Sequence, residues 1–310
     1  MRTVLIFIWT ITAVALILFP FFASVYITSL FIAILMYIAL AESWSIFSGY
    51  TRYISIGSAA FFGMGAYTMA ILSSKLPLPI VIVIATLVNF VLAVPMGFIT
   101  LRLRGPYFAI LTFGLAEFMR YIVLWWEMKI TGTRGRIIMP VEQEAVYYSI
   151  LVISAIVFLT AYIIKVSRFG LALQSIGQDE ERAETLGVST TFFKVAAFAL
   201  SAALMGAVGA CITPRWTYVD PYIAFNPLIS FQPIIMALIG GVGNIYGPIV
   251  GAVFLGLLSE VLLIRVPYYF MIMLGTILII IVLFIPGGLT SLIGKRSQSS
   301  PSPILPATPV

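Results

Sequence analysis

About ten apolar stretches, each close to the twenty residues a helix needs to cross a hydrocarbon core, follow one another along this chain. They fall at 3–22, 27–47, 53–73, 79–101, 106–126, 146–165, 192–212, 228–243, 245–264 and 267–286. Lipid satisfies no backbone polar group, so a segment in it must satisfy its own, as a helix or in a closed barrel. Stretches of this length predict helices, and the expected fold is an all-α integral membrane protein of about ten spans. Stretches 53–73 and 228–243 are rich in glycine and small residues, and the second is short. Broken or re-entrant helices are expected there. The first stretch begins after Arg2 like part of a signal sequence but has no small-x-small cleavage site, and it is kept as a span.

Composition excludes the main alternatives. The chain is 62% hydrophobic and 9% charged, far below the roughly 25% charge of soluble domains. It has no histidine and one cysteine, Cys211, so it lacks an intrachain disulfide, a cysteine metal cluster and imidazole base chemistry. A metal site is not expected, and a membrane enzyme would lack the nucleophile and base it needs. The net charge of +6 is scattered between apolar runs, which speaks for membrane orientation and against nucleic acid. No GxxxxGK[ST] phosphate loop occurs, so ATP is not bound by that route.

Loop charges set the orientation. With a cytoplasmic amino terminus, ten spans place Arg2, Arg52, Arg102, Arg104, Lys165, Arg168, Arg182, Lys194, Lys295 and Arg296 inside. Lys75, Lys129, Arg134, Arg136, Arg215 and Arg265 then lie outside, a clear inside excess. Both termini are expected in the cytoplasm. Residues 1–290 form one polytopic domain, and the Ser/Pro-rich segment 291–310 is expected to be a disordered cytoplasmic tail.

The long polar interruption, 166–194, falls on the cytoplasmic side by the same count. It holds Asp179, Glu180, Glu181 and Glu184, four of the eleven acidic residues. The acids suit the positive end of a helix beginning at Gln178 or Asp179, and Gly187 suits the left-handed position that ends one. Ala183 and Gly187, four apart, are expected to form a smooth face with Leu186 as an apolar knob. Such a helix either seats in a groove of a soluble partner or is a solvated surface helix.

The string SRFGLALQSIGQDEERAETLGV resembles the cytoplasmic coupling loop in membrane subunits of branched-chain amino acid ABC importers of the LivM type. GYTRYISIGSAAFFGMGAY at 49–67, RLRGPYFAILTFGLAE at 102–117, LIGGVGNIYGPIVGA at 238–252 and FIPGGL at 284–289 extend the resemblance over most of the chain. It implies a permease paired with a second, homologous permease, two cytoplasmic ATPases and an external solute-binding protein. It further implies a bacterial cytoplasmic (inner) membrane location, ATP and magnesium held by the ATPases, and no cofactor in this chain. The residues implied to couple to the ATPases are Asp179, Glu180, Ala183, Leu186 and Gly187. This sequence departs from the family where Arg52 stands for a usual glycine and Ser58 for a frequent histidine. Urea-type permeases are closely similar to the same pattern.

Within the spans, Gly49, Tyr50, Ser55, Gly57 and Ser58, with Gly240, Gly241 and Gly243 in the second half, mark helix breaks or a translocation pathway. Glu117 and Arg120 share a helix face three residues apart and are expected to pair inside the bundle. An ion-coupled secondary transporter would use that pair instead. Outside, Arg134, Arg136 and Arg215 lie in aromatic-rich loops and are candidates for docking the binding protein.

Overall fold

The computed structural model describes residues 16–269 and, beyond them, 272–273, 275–276, 279 and 288–290. The first stretch is described from residue 16 onward, as helix over 16–22. The tenth stretch lies largely, and the tail wholly, outside the described residues.

Among the described residues, eleven α-helices lie between residues 25 and 265: α1 (Val25–Trp44), α2 (Ser58–Leu72), α3 (Leu78–Thr100), α4 (Pro106–Ile130), α5 (Gln143–Val166), α6 (Arg168–Gln178), α7 (Glu180–Thr185), α8 (Thr190–Ile212), α9 (Pro221–Ala224), α10 (Pro227–Gly240) and α11 (Tyr246–Arg265). Seven segments among the described residues are long and apolar enough to cross a membrane. They are Val25–Gly49, α3, α4, α5, Thr190–Arg215, Pro221–Gly240 and α11. The expected count of about ten is not reached among the described residues, which leave out most of the first and tenth stretches. α2 has 15 residues and a length of about 22 Å, short of the roughly 30 Å core.

The bundle is built around α8. In its most apolar window 89% of residues are buried, against 22% in α3, so α8 is the helix that lipid does not reach. Its composition explains this. A Cβ on Gly65 would stand 2.0 Å from the Gly206 carbonyl oxygen, and one on Gly209 would stand 2.1 Å from that of Phe62. Small residues therefore bring the α2 and α8 backbones into contact, in a bundle where packing replaces the hydrophobic drive. Asn89 on α3, fully buried, fills the notch over Gly206.

Side-chain contacts sort the loops onto two faces. On one, Gln143 donates to the Val25 carbonyl and strand β1 (Arg136–Ile137) pairs antiparallel with β2 (Tyr218–Val219). On the other lie α6, α7, Arg104 and Tyr53. The loops assigned by charge to opposite sides thus gather at opposite ends.

Candidate functional site

Between α1 and α2 the helix is abandoned and side chains take over the backbone. α1 loosens into a π turn over Ser45–Gly49, the chain turns at Arg52 with φ 60°, and α2 begins only at Ser58. The indole N–H of Trp44 donates to the Ser55 carbonyl at 2.8 Å, and Thr112 Oγ1 accepts from the Ile56 N–H at 3.1 Å. Ser48 Oγ accepts from Ser55 N–H at 3.3 Å, and Ser230 Oγ from Ala59 N–H at 3.0 Å. This is the condition for irregular backbone at membrane depth: groups freed from the helix are held by protein. The irregular backbone lies at 52–57, ahead of α2, and Ser58–Leu72 within the stretch 53–73 is one continuous helix. Ser58 is buried, and its hydroxyl has no hydrogen-bond partner among the described residues. Gly49 and Gly57 pack against Ser45 and Thr112, and Tyr50 is half-buried.

The second break is a tight corner between α10 and α11. Gly241 and Gly243 adopt φ 111° and 99°, left-handed values that glycine reaches without strain. A Cβ on Gly240 would meet the Gly247 carbonyl oxygen at 1.7 Å, so Gly240 serves close packing at the corner, while nothing lies within 4 Å of a Cβ on Gly243, which serves the turn alone. A half-open cavity of about 270 Å³ lies elsewhere, walled by α1, α2, α10 and the loop before it. Met36, Tyr37, Leu40 and Phe62 form its apolar side, while Asn226 and Gln232 supply polar groups. The glycine pattern did not point to it; the sequence signal was Gln232 in a largely apolar helix.

The polar loop folds as two helices sharing one residue. Asp179 ends α6 and caps α7, its carboxylate accepting from the Arg182 N–H at 3.1 Å. At the far end the Gly187 N–H bonds the Glu184 carbonyl at 2.9 Å and the Val188 N–H that of Ala183 at 3.0 Å. With Gly187 at φ 84°, this is a Schellman ending. The expected smooth face of Ala183 and Gly187 is not formed. Ala183 is 1% exposed because it packs into its own chain, while Leu186 is 81% exposed. Glu181 and Arg182 point outward with it, their side chains 83% and 85% exposed.

Glu180 turns the other way. Its carboxylate accepts from the Tyr53 hydroxyl at 2.6 Å, pairs with Lys194 of α8, and has Arg104 Nε at 3.5 Å. Burial favours the neutral acid, but Lys194, Tyr53 and Arg104 outweigh it and hold the carboxyl below its ordinary value. Burial, then the neighbouring Glu180, pushes the Tyr53 phenol up, so it stays a donor. The sequence placed Lys194 only as a flanking charge, and nothing in its spacing marks Tyr53.

The arginines of the other face have partners in the chain. Arg134 pairs with Asp220 at 2.8 Å, while Asp220 caps α9 through the Ile223 N–H at 2.8 Å. Arg136 Nε lies 3.4 Å from Glu127, which is fully buried and accepts from Gly135 N–H and the Tyr67 hydroxyl. Arg215 donates to Ser29. Glu117 and Arg120 form an ion pair on α4, and the guanidinium also lies 4.8 Å from the Tyr222 ring centre.

Residues 25–282 match the family described as branched-chain amino acid transport system / permease component. The chain belongs to that family. This permease is 28% identical over 290 residues to the high-affinity branched-chain amino acid transport system permease protein LivM of Salmonella typhimurium, covering 82% of this chain and 68% of the relative. It is 29% identical over 103 residues to the LivH permease of Escherichia coli, covering 33% of this chain and 32% of the relative. It is also 25% identical over 255 residues to the autoinducer 2 import system permease LsrC of Escherichia coli, with 77% and 72% covered. No solved structure matches it. Family and spans together make it a multi-pass membrane permease, a transport subunit by its relatives.

Proposed function

We propose that this permease is one of two membrane subunits of an ATP-driven importer of branched-chain amino acids. The observation that carries this reading is the match to LivM along most of the chain, joined by a shorter match to its namesake LivH. A LivH-type second permease is the expected companion. The geometry supplies the working parts. α7 offers Leu186, Glu181 and Arg182 outward from the charge-rich face, a surface for a cytoplasmic ATPase. The cavity between α1, α2 and α10 opens in the bundle and combines an apolar wall with Asn226 and Gln232, groups suited to an aliphatic side chain and its polar backbone.

ATP and magnesium belong to two partner ATPases, and an external binding protein delivers the solute. The 166–194 loop and both termini lie in the cytoplasm of a bacterial inner membrane. Of the three arginines, Arg134 and Arg215 are exposed and are the ones offered to the binding protein. Copurification of the tagged chain followed by uptake with a panel of leucine, urea and ribose tests the reading. Leucine-selective uptake that requires the ATPases supports it. Uptake that survives without them and collapses with the proton gradient overturns it in favour of an ion-coupled carrier. A shorter match to the ribose import permease RbsC of Haemophilus influenzae, 29% identical over 115 residues, keeps ribose as the second reading, and ribose uptake in the same panel would select it.

A further inference from the structure

The 166–194 loop touches the broken segment 50–57 at two points. A Cβ on Gly177, at the end of α6, would stand 2.2 Å from the Tyr50 carbonyl oxygen, so the two backbones are in contact. The second point is Glu180, whose carboxylate holds Tyr53 and Lys194 and lies beside Arg104. Its side chain is 11% exposed, in contrast to 83% for Glu181 next to it. A residue that only displayed charge to a soluble partner would share the exposure of Glu181.

Beyond Tyr53 the contacts continue toward the cavity. Segment 50–57 keeps its shape by exchangeable hydrogen bonds, one donated by Trp44 and two accepted by Ser48 and Thr112, so a pull on Tyr53 meets less resistance than a pull on a helix. The segment runs into α2, whose first turn is tied by the Ala59 N–H to Ser230 Oγ on α10. Phe62 lies one turn further along α2, and Gln232 two residues beyond Ser230; both line the cavity. We propose that Glu180 is a positioning residue that latches α7 to segment 50–57, so that displacement of α7 reaches the cavity wall through α2 and Ser230. This rests on the importer reading above, and it moves Glu180 from the docking surface to the transmission behind it.

The test uses the complex that copurifies with the chain, reconstituted in liposomes with its binding protein and leucine as the probe. Nitroxide labels at Ile54→Cys and Ile130→Cys report the position of the broken segment; Cys211, the lone native cysteine, is buried and stays silent. Glu180→Gln is expected to retain the ATPases and their hydrolysis, lose most of the ATP-driven distance change, and transport at least tenfold less leucine per ATP. Lys194→Met should act in the same direction, and the double variant should be no worse than the more affected single one, because both changes remove one contact. Loss of the ATPases from Glu180→Gln would make it a docking residue and overturn the latch, as would a distance change of wild-type size. If the unaltered chain retains no ATPase, the importer reading fails and the latch falls with it.

Discussion

At Arg52 a residue with a long side chain occupies φ 60°, a conformation costing L-residues about 1–2 kcal/mol. The family resemblance led to glycine at this position, and the geometry explains why. Thermal midpoints in detergent are expected in the order Arg52→Gly, then the natural residue, then Arg52→Val, since a β-branched side chain tolerates this region least. The gain from glycine is below the full strain energy because glycine loses more freedom on folding. Glu180 gives a second residue-scale prediction. Its carboxyl is held below the ordinary value, so its stabilising contribution is fully present above about 4.5 and is lost as acid protonates it below that. A nitroxide at Leu186→Cys should keep the same mobility from neutral pH down to about 5 and loosen on further acidification. In Glu180→Gln the profile should be flat and the label loose throughout.

At the scale of elements, two glycines separate two kinds of cost. Nothing lies within 4 Å of a Cβ at Gly187, so Gly187→Ala meets only backbone strain of about 1–2 kcal/mol at the end of α7. Gly65→Ala drives a methyl to 2.0 Å from a backbone oxygen of α8, and the two helices must part. Its thermal midpoint is expected to fall further than that of Gly187→Ala. Ala183→Arg, by the same logic, now disrupts packing: it should detach α7 from the bundle, seen as proteolytic cleavage within 166–194, before any effect on docking. Much of this was legible in the sequence. The acidic run, Gly187 and the apolar lengths located α7 and most spans, because caps and hydrophobic length act within a few residues. The inward turn of Ala183 and the pairing of Glu180 with Tyr53, 127 residues away, were not, because they depend on how elements meet. Arg134, Arg136 and Arg215 show the same limit: their charge was visible, their partners Asp220, Glu127 and Ser29 were not.

For the whole molecule, the two faces are held together differently. The face with β1 and β2 is closed by backbone ladder bonds, the Arg134–Asp220 pair and the buried Glu127. On the other face the polar loop meets the bundle through Glu180, Gly177 and a 2.6 Å bond from Thr190 to Glu184. Between α6 and α7 stands Asp179, which ends one helix and starts the next with no residue to spare. In mechanical terms this joint has no slack: no loose chain separates α7 from α6, so α6 moves with it. Lengthening the joint supplies that slack. On the importer reading proposed above, a single glycine inserted after Asp179 would leave ATP hydrolysis running while the path stays shut, a failure of compliance.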